Sequence, residues 1–395
     1  MTEFNTGVGA GDNGFEAAKK ASENAMENFE SDPELAIVFT SSKYDYEDVQ
    51  KGVKEIVGDA SIIGSSTAGE FNEEKVGTGQ VSVALISSDD MEFFTGFGEG
   101  LSEDAEGALE KAAEDLPESI HNYPYTSVIN LHDGLAGKGT QVSWNTLEVL
   151  GQDFKVAGGS AGDDVALEKT VVFNEDHVSD NAVVLGVIAS EKPVAMAVDH
   201  GHEPISPPLE ITKSEGSTVH EINNKPAFEV WKEQVRYDAE EELCIDVDQI
   251  EGGDEELGIL LKRYGFGIQS AKGYKVRWPG LTSDVDGPLE FACDMPENTV
   301  VRIMASPKDK QIEASRKAAK KASEKMEGDI AGGLIFECIV RANILQERFP
   351  EAVEEISDEI GAPLAGFETY GEICIERGEM SGFHNTTTVV MLLPK

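Results

Sequence analysis

The sequence contains few cysteines and few aromatic residues, and it has no long apolar run. Its four cysteines, Cys244, Cys293, Cys338 and Cys374, form no C-x-x-C pair, so neither a zinc ribbon nor thioredoxin-like chemistry is indicated. No apolar run approaches the roughly 18 residues that are needed to cross a bilayer. The first residues carry neither the basic region nor the apolar core of a signal peptide. These absences predict a cytoplasmic protein whose thiols are buried and free.

Basic residues are also scarce. The chain has 32 Lys and Arg residues against 75 Asp and Glu residues, and its formal net charge is −43. Such a surface repels nucleic acid and anionic lipid, so we expect neither nucleic-acid binding nor membrane insertion. The acidic residues are spread along the whole chain, and their mutual repulsion destabilises a compact state in dilute salt. The composition therefore predicts a halophilic protein that works in molar salt, where the screening length falls to about 3 Å.

A short pattern of a small residue, a hydroxyl residue, a glycine and an acid occurs three times. It reads GSSTAGE at 64–70, AGGSAGD at 157–163 and GFETYGE at 366–372. Each copy follows a buried apolar run and a segment with helical spacing, and each precedes a β-rich run. The pattern predicts an α/β fold in which three β-α-β-α-β-β repeats form mixed sheets covered by helices.

The repeats predict how the chain is divided. Two repeats, about 4–88 and 91–190, lie in a first half that spans 1–203. The second half, 204–395, is predicted to hold an inserted β-rich segment, 204–298, and then the third repeat, about 299–395, which begins with the strand Val300–Met304. Within the insertion we expect a Pro-rich linker, a hairpin, a short helix and an acid-rich stretch at 204–208, 209–222, 226–235 and 238–256.

One of the turns matches a catalytic motif. Residues 158–162 read G-x-S-x-G, the nucleophile elbow of α/β-hydrolases, with Ser160 as the nucleophile. The elbow needs a strand before it and a helix after it, whereas the residues after this turn indicate a loop and a strand. The other two repeats place Thr67 and Thr369 at the equivalent position. A repeated turn explains the match better, and a serine hydrolase stays as an alternative.

The turns also suggest a binding role. Glycine allows a close backbone approach, and the hydroxyls of Ser66 and Thr67 could bind a carboxylate. The acids Glu70 and Asp163 could hold an ammonium group, which together would suit an amino acid. The alternative is that each acid accepts hydrogen bonds from neighbouring backbone N–H groups. We favour that alternative for Glu70 and Asp163.

The third repeat carries more polar residues than the first two. Arg341, Tyr370, Glu372 and His384 follow apolar strands, at strand ends where ligands of α/β proteins bind, so we predict that they share a pocket. Arg341 is the best candidate to bind an anion, because its planar guanidinium matches a carboxylate. The alternative for this residue is a surface ion pair. Arg277 is a weaker candidate of the same kind.

The histidines do not predict a metal site. His200 and His202 lie on one face of an extended segment, which a metal could use, but no cysteine or third histidine is close in the sequence. We expect a solvated linker there. His132 ends a buried strand and is either a residue at the edge of the core or a ligand-binding residue.

The order of the motifs resembles the FIST sensory family, in which a FIST N half precedes a FIST C half. The resemblance covers nearly the whole chain, and it is carried by the three turns and by the motifs HDGL at 132–135, FECIVR at 336–341 and FHNTT at 383–387. Glu337, Ala342 and Asn343 depart from the residues common in the family. The family is thought to consist of intracellular input modules that bind small ligands such as amino acids, often fused to signalling enzymes. Because the two halves use the whole chain, the resemblance implies an unidentified, separate signalling partner.

The motifs and the resemblance together give one predicted set of ligand-binding residues. The set consists of Arg341, Thr369, Tyr370, Glu372, His384, Asn385, Cys338, Ser66, Thr67, Glu70, Ser160, Asp163 and Arg277.

A subgroup of the family binds haem and senses nitric oxide, which would require an axial histidine. The sequence has no haem-attachment motif, so we expect no cofactor, and a haem-based nitric-oxide sensor stays as an alternative.

Overall fold

The computed structural model describes residues 1–117, 120, 123–270, 273–379 and 382–395. Strands and helices alternate along most of this length. Among the described residues, no helix is both long enough and apolar enough to span a bilayer.

The first unit has the predicted order of elements. These are β1 (Thr2–Gly9), α1 (Gly14–Met26), β2 (Leu35–Ser41), α2 (Tyr46–Val57), β3 (Ser61–Thr67), β4 (Glu70–Asn72), β5 (Val76–Gly77) and β6 (Val81–Ser88). Helix α1 begins where the side chain of Asn13 accepts a hydrogen bond from the backbone N–H of Glu16, at 2.9 Å. Its buried face consists mainly of alanine, so the helix can lie very close to the sheet.

The second unit repeats this order. Its elements are β7 (Met91–Glu99), α3 (Ala105–Glu114), β8 (Tyr125–His132), α4 (Gly139–Leu150), β9 (Lys155–Ser160), β10 (Val172–Asn174), β11 (Val178–Ser179) and β12 (Ala182–Ser190). Gly96 and Gly98 lie in β7, where a Cβ atom would come within about 2 Å of carbonyl oxygens in α3. Glycine at these positions therefore allows the alanine face of the helix to contact the strand directly.

The third unit begins earlier in the chain than predicted. Its first strand is β13 (Ala195–Asp199), which pairs with the last strand of the unit as β1 and β7 do in theirs. The prediction that Val300–Met304 fills this position was wrong. Val300–Ala305 is a strand, but it pairs inside a separate sheet formed by the insertion. A strand's place depends on the strand it pairs with, which its own apolar sequence does not specify.

The insertion lies between the first strand and the first helix of the third unit. Its elements are β14 (Glu203–Pro204), β15 (Leu209–Glu215), β16 (Thr218–Ile222), β17 (Lys225–Pro226), α5 (Ala227–Leu243), α6 (Glu255–Arg263), β18 (Tyr264–Ser270), β19 (Gly273–Arg277), β20 (Leu289–Glu290) and β21 (Val300–Ala305). The predicted hairpin is present, as β15 and β16. The predicted short helix is longer than expected and includes the first part of the acid-rich stretch, whereas residues 244–254 lie between α5 and α6. The insertion has its own apolar core around Trp231 and Tyr264.

The remaining elements complete the third unit. They are α7 (Lys308–Ser323), β22 (Ile330–Cys338), α8 (Ile339–Leu345), α9 (Phe349–Ile360), β23 (Leu364–Thr369), β24 (Glu372–Ile375), β25 (Phe383–His384) and β26 (Thr388–Pro394). Pairs β2–β3, β8–β9 and β22–β23 are parallel, and the last strand of each unit pairs antiparallel with the first. The predicted class of mixed sheets covered by helices is confirmed.

The units exchange short hairpins in a cycle. Each of three six-stranded sheets takes four strands from one unit and two from another: β1-β6-β2-β3-β10-β11, β7-β12-β8-β9-β24-β25 and β13-β26-β22-β23-β4-β5. A large apolar core joins all three sheets, and in it the ring centroids of Phe39 and Phe367 are 4.6 Å apart. Each Gly–acid turn lies between the third strand of its own unit and the hairpin given to another sheet, so this exchange brings the three turns together.

Candidate functional site

The three turns are hydrogen-bonded to one another through their backbones. Every pair of turns shares at least one such bond, for example Gly162 N to Ser66 O at 3.0 Å, Ala68 N to Glu368 O at 3.0 Å, and Ser160 N to Gly371 O at 2.7 Å. Their polar backbone groups are therefore used within the protein. The ring of turns is a structural centre, and most of its side chains are buried.

The acid of the first turn is held inside the protein. Thr67 donates its hydroxyl to Glu70 Oε1, and the backbone N–H of Gln80 donates to Oε2 at 3.1 Å. Burial raises the pKa of Glu70 to about 8, against the lowering effect of these two donors. This arrangement agrees with the alternative that we favoured for Glu70, in which the acid accepts local hydrogen bonds.

The acid of the third turn has the same environment. Thr369 donates to Glu372 Oε1 at 2.5 Å, and the backbone N–H and the hydroxyl of Thr387 donate to Oε2 at 3.0 and 2.8 Å. Burial raises the pKa of Glu372 to about 7. Glu372 pairs with His384 across β24 and β25, but it occupies the position that Glu70 occupies in the first unit. Its oxygens are used for internal bonds.

Asp163 ends the second turn and caps the loop that follows. Its carboxylate accepts hydrogen bonds from the backbone N–H groups of Leu167, Glu168 and Lys169 at 2.6–2.9 Å, and it also accepts the hydroxyl of Tyr370. This agrees with the alternative that we favoured for Asp163. Tyr370 was predicted to line a ligand pocket. In the structure its hydroxyl donates to Asp163 and so joins the third turn to the second.

Ser160 belongs to a chain of buried hydrogen bonds. Its Oγ lies 2.8 Å from Nε2 of His132, whose Nδ1 lies 3.1 Å from Oδ1 of Asn130. Ser160 and His132 are buried, and burial lowers the pKa of His132 to about 3. The backbone N–H of Ala161, which would have to stabilise an oxyanion after an elbow serine, donates instead to the carbonyl of His132 at 2.8 Å. Ser160 is followed by a loop and then by the strand β10, as predicted.

Arg341 is fully buried, and its guanidinium is bonded on all sides. Its Nε donates to Glu337 Oε1 at 2.6 Å, and its other nitrogens donate to the side chain and carbonyl of Gln311 and to the hydroxyl of Ser315 at 2.6 Å. These contacts attach the start of α8 to α7. The structure thus supports neither of the two roles considered for Arg341, because the residue lies neither at a surface nor in an open pocket.

The other predicted residues of the second half are also buried. Arg277 donates to the carbonyl of Phe383 at 3.2 Å, and Asn385 Oδ1 lies 3.5 Å from the thiol of Cys293. Burial raises the pKa of the Cys338 thiol well above its ordinary value, and burial lowers the pKa of His384 to about 3. Most members of the predicted set therefore lie in or near the ring of turns, where internal bonds hold them.

The histidine pair is not a solvated linker. His202 is buried, and its Nδ1 lies 2.8 Å from the carbonyl of His200 and 3.3 Å from the side chain of Gln311. The polar network around Arg341 extends to this segment, which the sequence did not indicate. Within the described ranges, no group of three potential ligands is arranged to hold a metal ion.

A large cleft opens beside the ring of turns, between the two predicted halves of the chain, and Ala68 and Glu368 of the turns line it. Its volume is about 1320 Å³. The first half contributes lining residues from segments 41–43, 76–79 and 164–165, and the second half contributes them from 243–263 and 339–350. The carboxyl ends of β2 and β23 reach the cleft, which is the usual position for a ligand in an α/β protein.

Glu368 lies at the floor of this cleft. Its side chain is 6% exposed, lines the cavity and forms no hydrogen bond or ion pair with any residue that the structure describes. A Cβ atom at Gly69 would lie 2.6 Å from Glu368 Oε1, so glycine is needed there to leave space for the carboxyl group. Burial, and then the nearby carboxylates of Glu70, Glu337 and Asp164, raise the pKa of Glu368 well above its ordinary range.

Sequence reasoning missed Glu368, although the residue lies within the pattern GFETYGE. A signal was present: the other copies have Ser66 and Gly159 where the third has Glu368, so the acid is not required by the turn itself. Glu368 is buried although the turn does not need an acid at this position. We therefore infer that its carboxyl group has a role other than forming the turn.

Asp164 provides a second buried acceptor at the cleft. Its Oδ2 accepts bonds from the hydroxyls of Ser41 and Ser42 and from the N–H of Ser42, at 2.6–2.8 Å. Its Oδ1 is buried and has no partner among the described residues. Asp164 and Val165 have φ angles of 53° and 67°, a conformation that costs energy for a β-branched residue such as Val165. The surrounding hydrogen bonds hold this strained loop at the edge of the cleft.

Four basic side chains line the cleft without neutralising its acids. Lys43, Lys262, Arg263 and Lys308 form no ion pair with any described residue, although the chain has 75 acidic residues. The Nζ of Lys43 lies 4.5 Å from the centre of the ring of Tyr44, and Arg263 donates to a backbone carbonyl while its Nε is buried without a partner. The lining also includes four acids, Asp164, Glu255, Glu347 and Glu368, so the cleft is less acidic than the chain as a whole.

The comparisons with known proteins identify the family. The FIST N domain matches residues 34–225, and the FIST C domain matches residues 227–375. The uncharacterized protein MJ1623 of Methanocaldococcus jannaschii is 24% identical over 329 residues, which cover 77% of this chain and 59% of that protein. This chain thus matches less than two thirds of the length of that relative.

Two solved structures show a weak overall likeness. One is described as a cyanuric acid hydrolase that arose by structural concatenation, with 10% identity and a TM-score of 0.35, and the other is a cyanuric acid hydrolase from A. caulinodans, with 6% identity and a TM-score of 0.35. Each alignment covers 100% of both chains. The two domain matches together span most of the sequence in the predicted order, and the chain belongs to the FIST family, with a FIST N domain followed by a FIST C domain.

Proposed function

We propose that this protein is a cytoplasmic sensor, which binds a small ligand such as an amino acid or a similar molecule in the cleft between its two halves. The observation that carries the proposal is the buried carboxyl group of Glu368, which has no partner among the described residues and lies at the floor of a cavity of about 1320 Å³. A buried polar group without a partner is costly, and such groups persist where a ligand or a reaction uses them. FIST domains are sensory domains that are proposed to bind small ligands.

The signal would pass through the inserted segment. Helix α6 belongs to the insertion and lines the cleft, whereas the opposite side of the cleft belongs to the first unit. The chain enters the insertion after β13 and leaves it before α7, and α6 packs against α8 of the third unit. A ligand that contacts both sides favours the arrangement in which they are close, and a separate signalling protein would read that arrangement.

A thermal-shift screen tests this function. We expect that at least one class of compound among amino acids, peptides, nucleotides and haem raises the unfolding midpoint, because a ligand at 100 times its Kd stabilises the native state by about 2.7 kcal/mol. We expect no effect of haem and no Soret band in the purified protein. If no class raises the midpoint, the sensor proposal loses its support, whereas a Soret band would favour the haem alternative.

A serine hydrolase is the second candidate, because Ser160 Oγ lies 2.8 Å from His132 Nε2. We expect that the protein does not hydrolyse p-nitrophenyl esters faster than its Ser160→Ala variant, since the pair is sealed from solvent and the neighbouring N–H group is already bonded. Ser66→Ala is the matched control, because it removes an equally buried hydroxyl from the first turn. Ester hydrolysis that Ser160→Ala abolishes and Ser66→Ala retains would establish the enzyme instead.

A further inference from the structure

Three features of the cleft together restrict the chemistry of its ligand. They are a buried acidic floor, a group of basic residues that form no ion pair with the described residues, and several apolar side chains. The inference rests on the proposed function, since it names the ligand class of the same cleft.

The floor suits a hydrogen-bond donor that carries positive charge. The Glu368 carboxyl group and Oδ1 of Asp164 are buried acceptors, and neither has a partner among the residues that the structure describes. A carboxylate in such a place is stable only when a cation or several donors meet it. A primary ammonium group has three donors, which is enough to supply one to each of these acceptors. The metal-ion alternative is not supported, since no suitable group of three ligands exists in the described part of the chain.

The basic residues require an anion. Lys262 and Arg263 lie at the end of α6, and Lys43 and Lys308 line the same cavity. None of them forms an ion pair with a described residue, and this occurs in a chain whose formal net charge is −43. A cluster of unpaired cations on such a protein attracts an anion locally, although the surface as a whole repels it.

The cleft lining also includes apolar side chains. Val165, Ile259, Ile339 and Ile344 are among them, and Val165 and Ile259 are exposed large apolar side chains. The cavity volume of about 1320 Å³ exceeds the range of roughly 300–1,000 Å³ that holds a drug-sized ligand. A single amino acid would leave most of this volume to water, so it would not cover the apolar lining.

We propose that the ligand is a short zwitterionic peptide with apolar side chains, which places its amino terminus against Glu368 and Asp164 and its carboxylate among Lys43, Lys262, Arg263 and Lys308. The apolar side chains of the peptide cover the apolar side chains of the lining. The free cleft then has a carboxyl group that holds a proton more tightly than usual, and the ammonium group displaces that proton on binding.

Isothermal titration calorimetry with trileucine tests the proposal, in KCl that keeps the chain folded. Its controls are N-acetyl-trileucine, which lacks the ammonium group, trileucine amide, which lacks the carboxylate, and free leucine. We expect trileucine to bind best. Loss of the ammonium group should weaken binding about thirtyfold. A buried charge left without its partner costs about 2 kcal/mol or more, and each 1.4 kcal/mol is a tenfold change in affinity. Loss of the carboxylate should weaken binding roughly fivefold, since the cations are more exposed.

A pair of protein variants tests the role of Glu368. In Glu368→Gln, trileucine and N-acetyl-trileucine should bind with similar, reduced affinity, and proton release, measured in buffers of different ionisation enthalpy, should disappear. Glu347→Gln is the matched control, because Glu347 lines the same cleft but is exposed, and it should behave like the unchanged protein.

The outcomes separate the ligand class from the function. Equal binding of trileucine and its N-acetyl form by the unchanged protein would overturn the assignment of Glu368 and Asp164 to an amino terminus. Binding of amino acids or nucleotides but not of trileucine would overturn the peptide class and leave the sensor intact. No binding of trileucine or of any compound in the thermal-shift screen would overturn both.

Discussion

Replacement of Arg341 by methionine is expected to destabilise the folded protein by about 3–5 kcal/mol. The substitution leaves Glu337 buried without its cation, and burial already raises the pKa of this carboxyl group, against the lowering effect of Arg341. It also removes the bonds that attach the start of α8 to Gln311 and Ser315 of α7. Urea unfolding at constant KCl measures the effect, because urea does not change the ionic strength.

Two variants distinguish the buried pair from ordinary charge removal. Arg348→Met removes an arginine that pairs with Glu351 and Asp309 at the surface, and it should change the stability little. The double variant Arg341→Met, Glu337→Leu removes both buried charges, and it should recover a large part of the lost stability. If Arg341→Met proves as mild as Arg348→Met, the buried network around Arg341 is not what holds α8 in place.

An increase from 0.1 M to 3 M KCl is expected to raise the thermal midpoint by about 5 °C or more. In a domain of 150–250 residues, ~1 kcal/mol of added unfolding free energy raises the midpoint by roughly 2–4 °C. The chain carries 75 acidic residues, and six of those that the structure describes are buried: Glu70, Asp133, Asp163, Glu337, Glu368 and Glu372. Most of the negative charge therefore lies at or near the surface, where salt shortens the screening length from about 10 Å to about 3 Å or less.

Salt also affects apolar burial, so the experiment needs an uncharged control. Glycine betaine at equal osmolality is excluded from protein surfaces but does not screen charge, and it should raise the midpoint by much less than KCl. A midpoint that stays unchanged between 0.1 M and 3 M KCl would contradict the halophilic interpretation. A rise that betaine fully reproduces would show that exclusion from the surface, and not charge screening, stabilises the chain.

Local patterns in the sequence were sufficient to predict the architecture. The periods of apolar residues and the threefold turn pattern predicted repeated strands and helices, because those features depend on neighbours within a few residues. The same comparison of repeats argued against Ser160 as a nucleophile, since Thr67 and Thr369 occupy its position. The loop and strand after Ser160 agree with that argument.

The site was less predictable, because burial and pairing depend on distant parts of the chain. Arg341 was expected to meet a ligand or solvent, but α7 covers it with Gln311 and Ser315. Val300–Ala305 was expected to begin the third unit, but its pairing partners belong to the insertion. Neither outcome is encoded in the spacing of nearby residues.

The sequence by itself determined the three repeats, the membership of the FIST family and the acidic surface, because composition and local order are sufficient for each. Only the tertiary structure decided which polar residues remain available to a ligand. The exchange of hairpins joins the three turns, and their bonds use Glu70, Asp163 and Glu372 internally. The three units and the insertion together then form the cleft, and they leave Glu368 as a buried acid without a partner among the described residues, since only the packing of distant segments decides which groups find one.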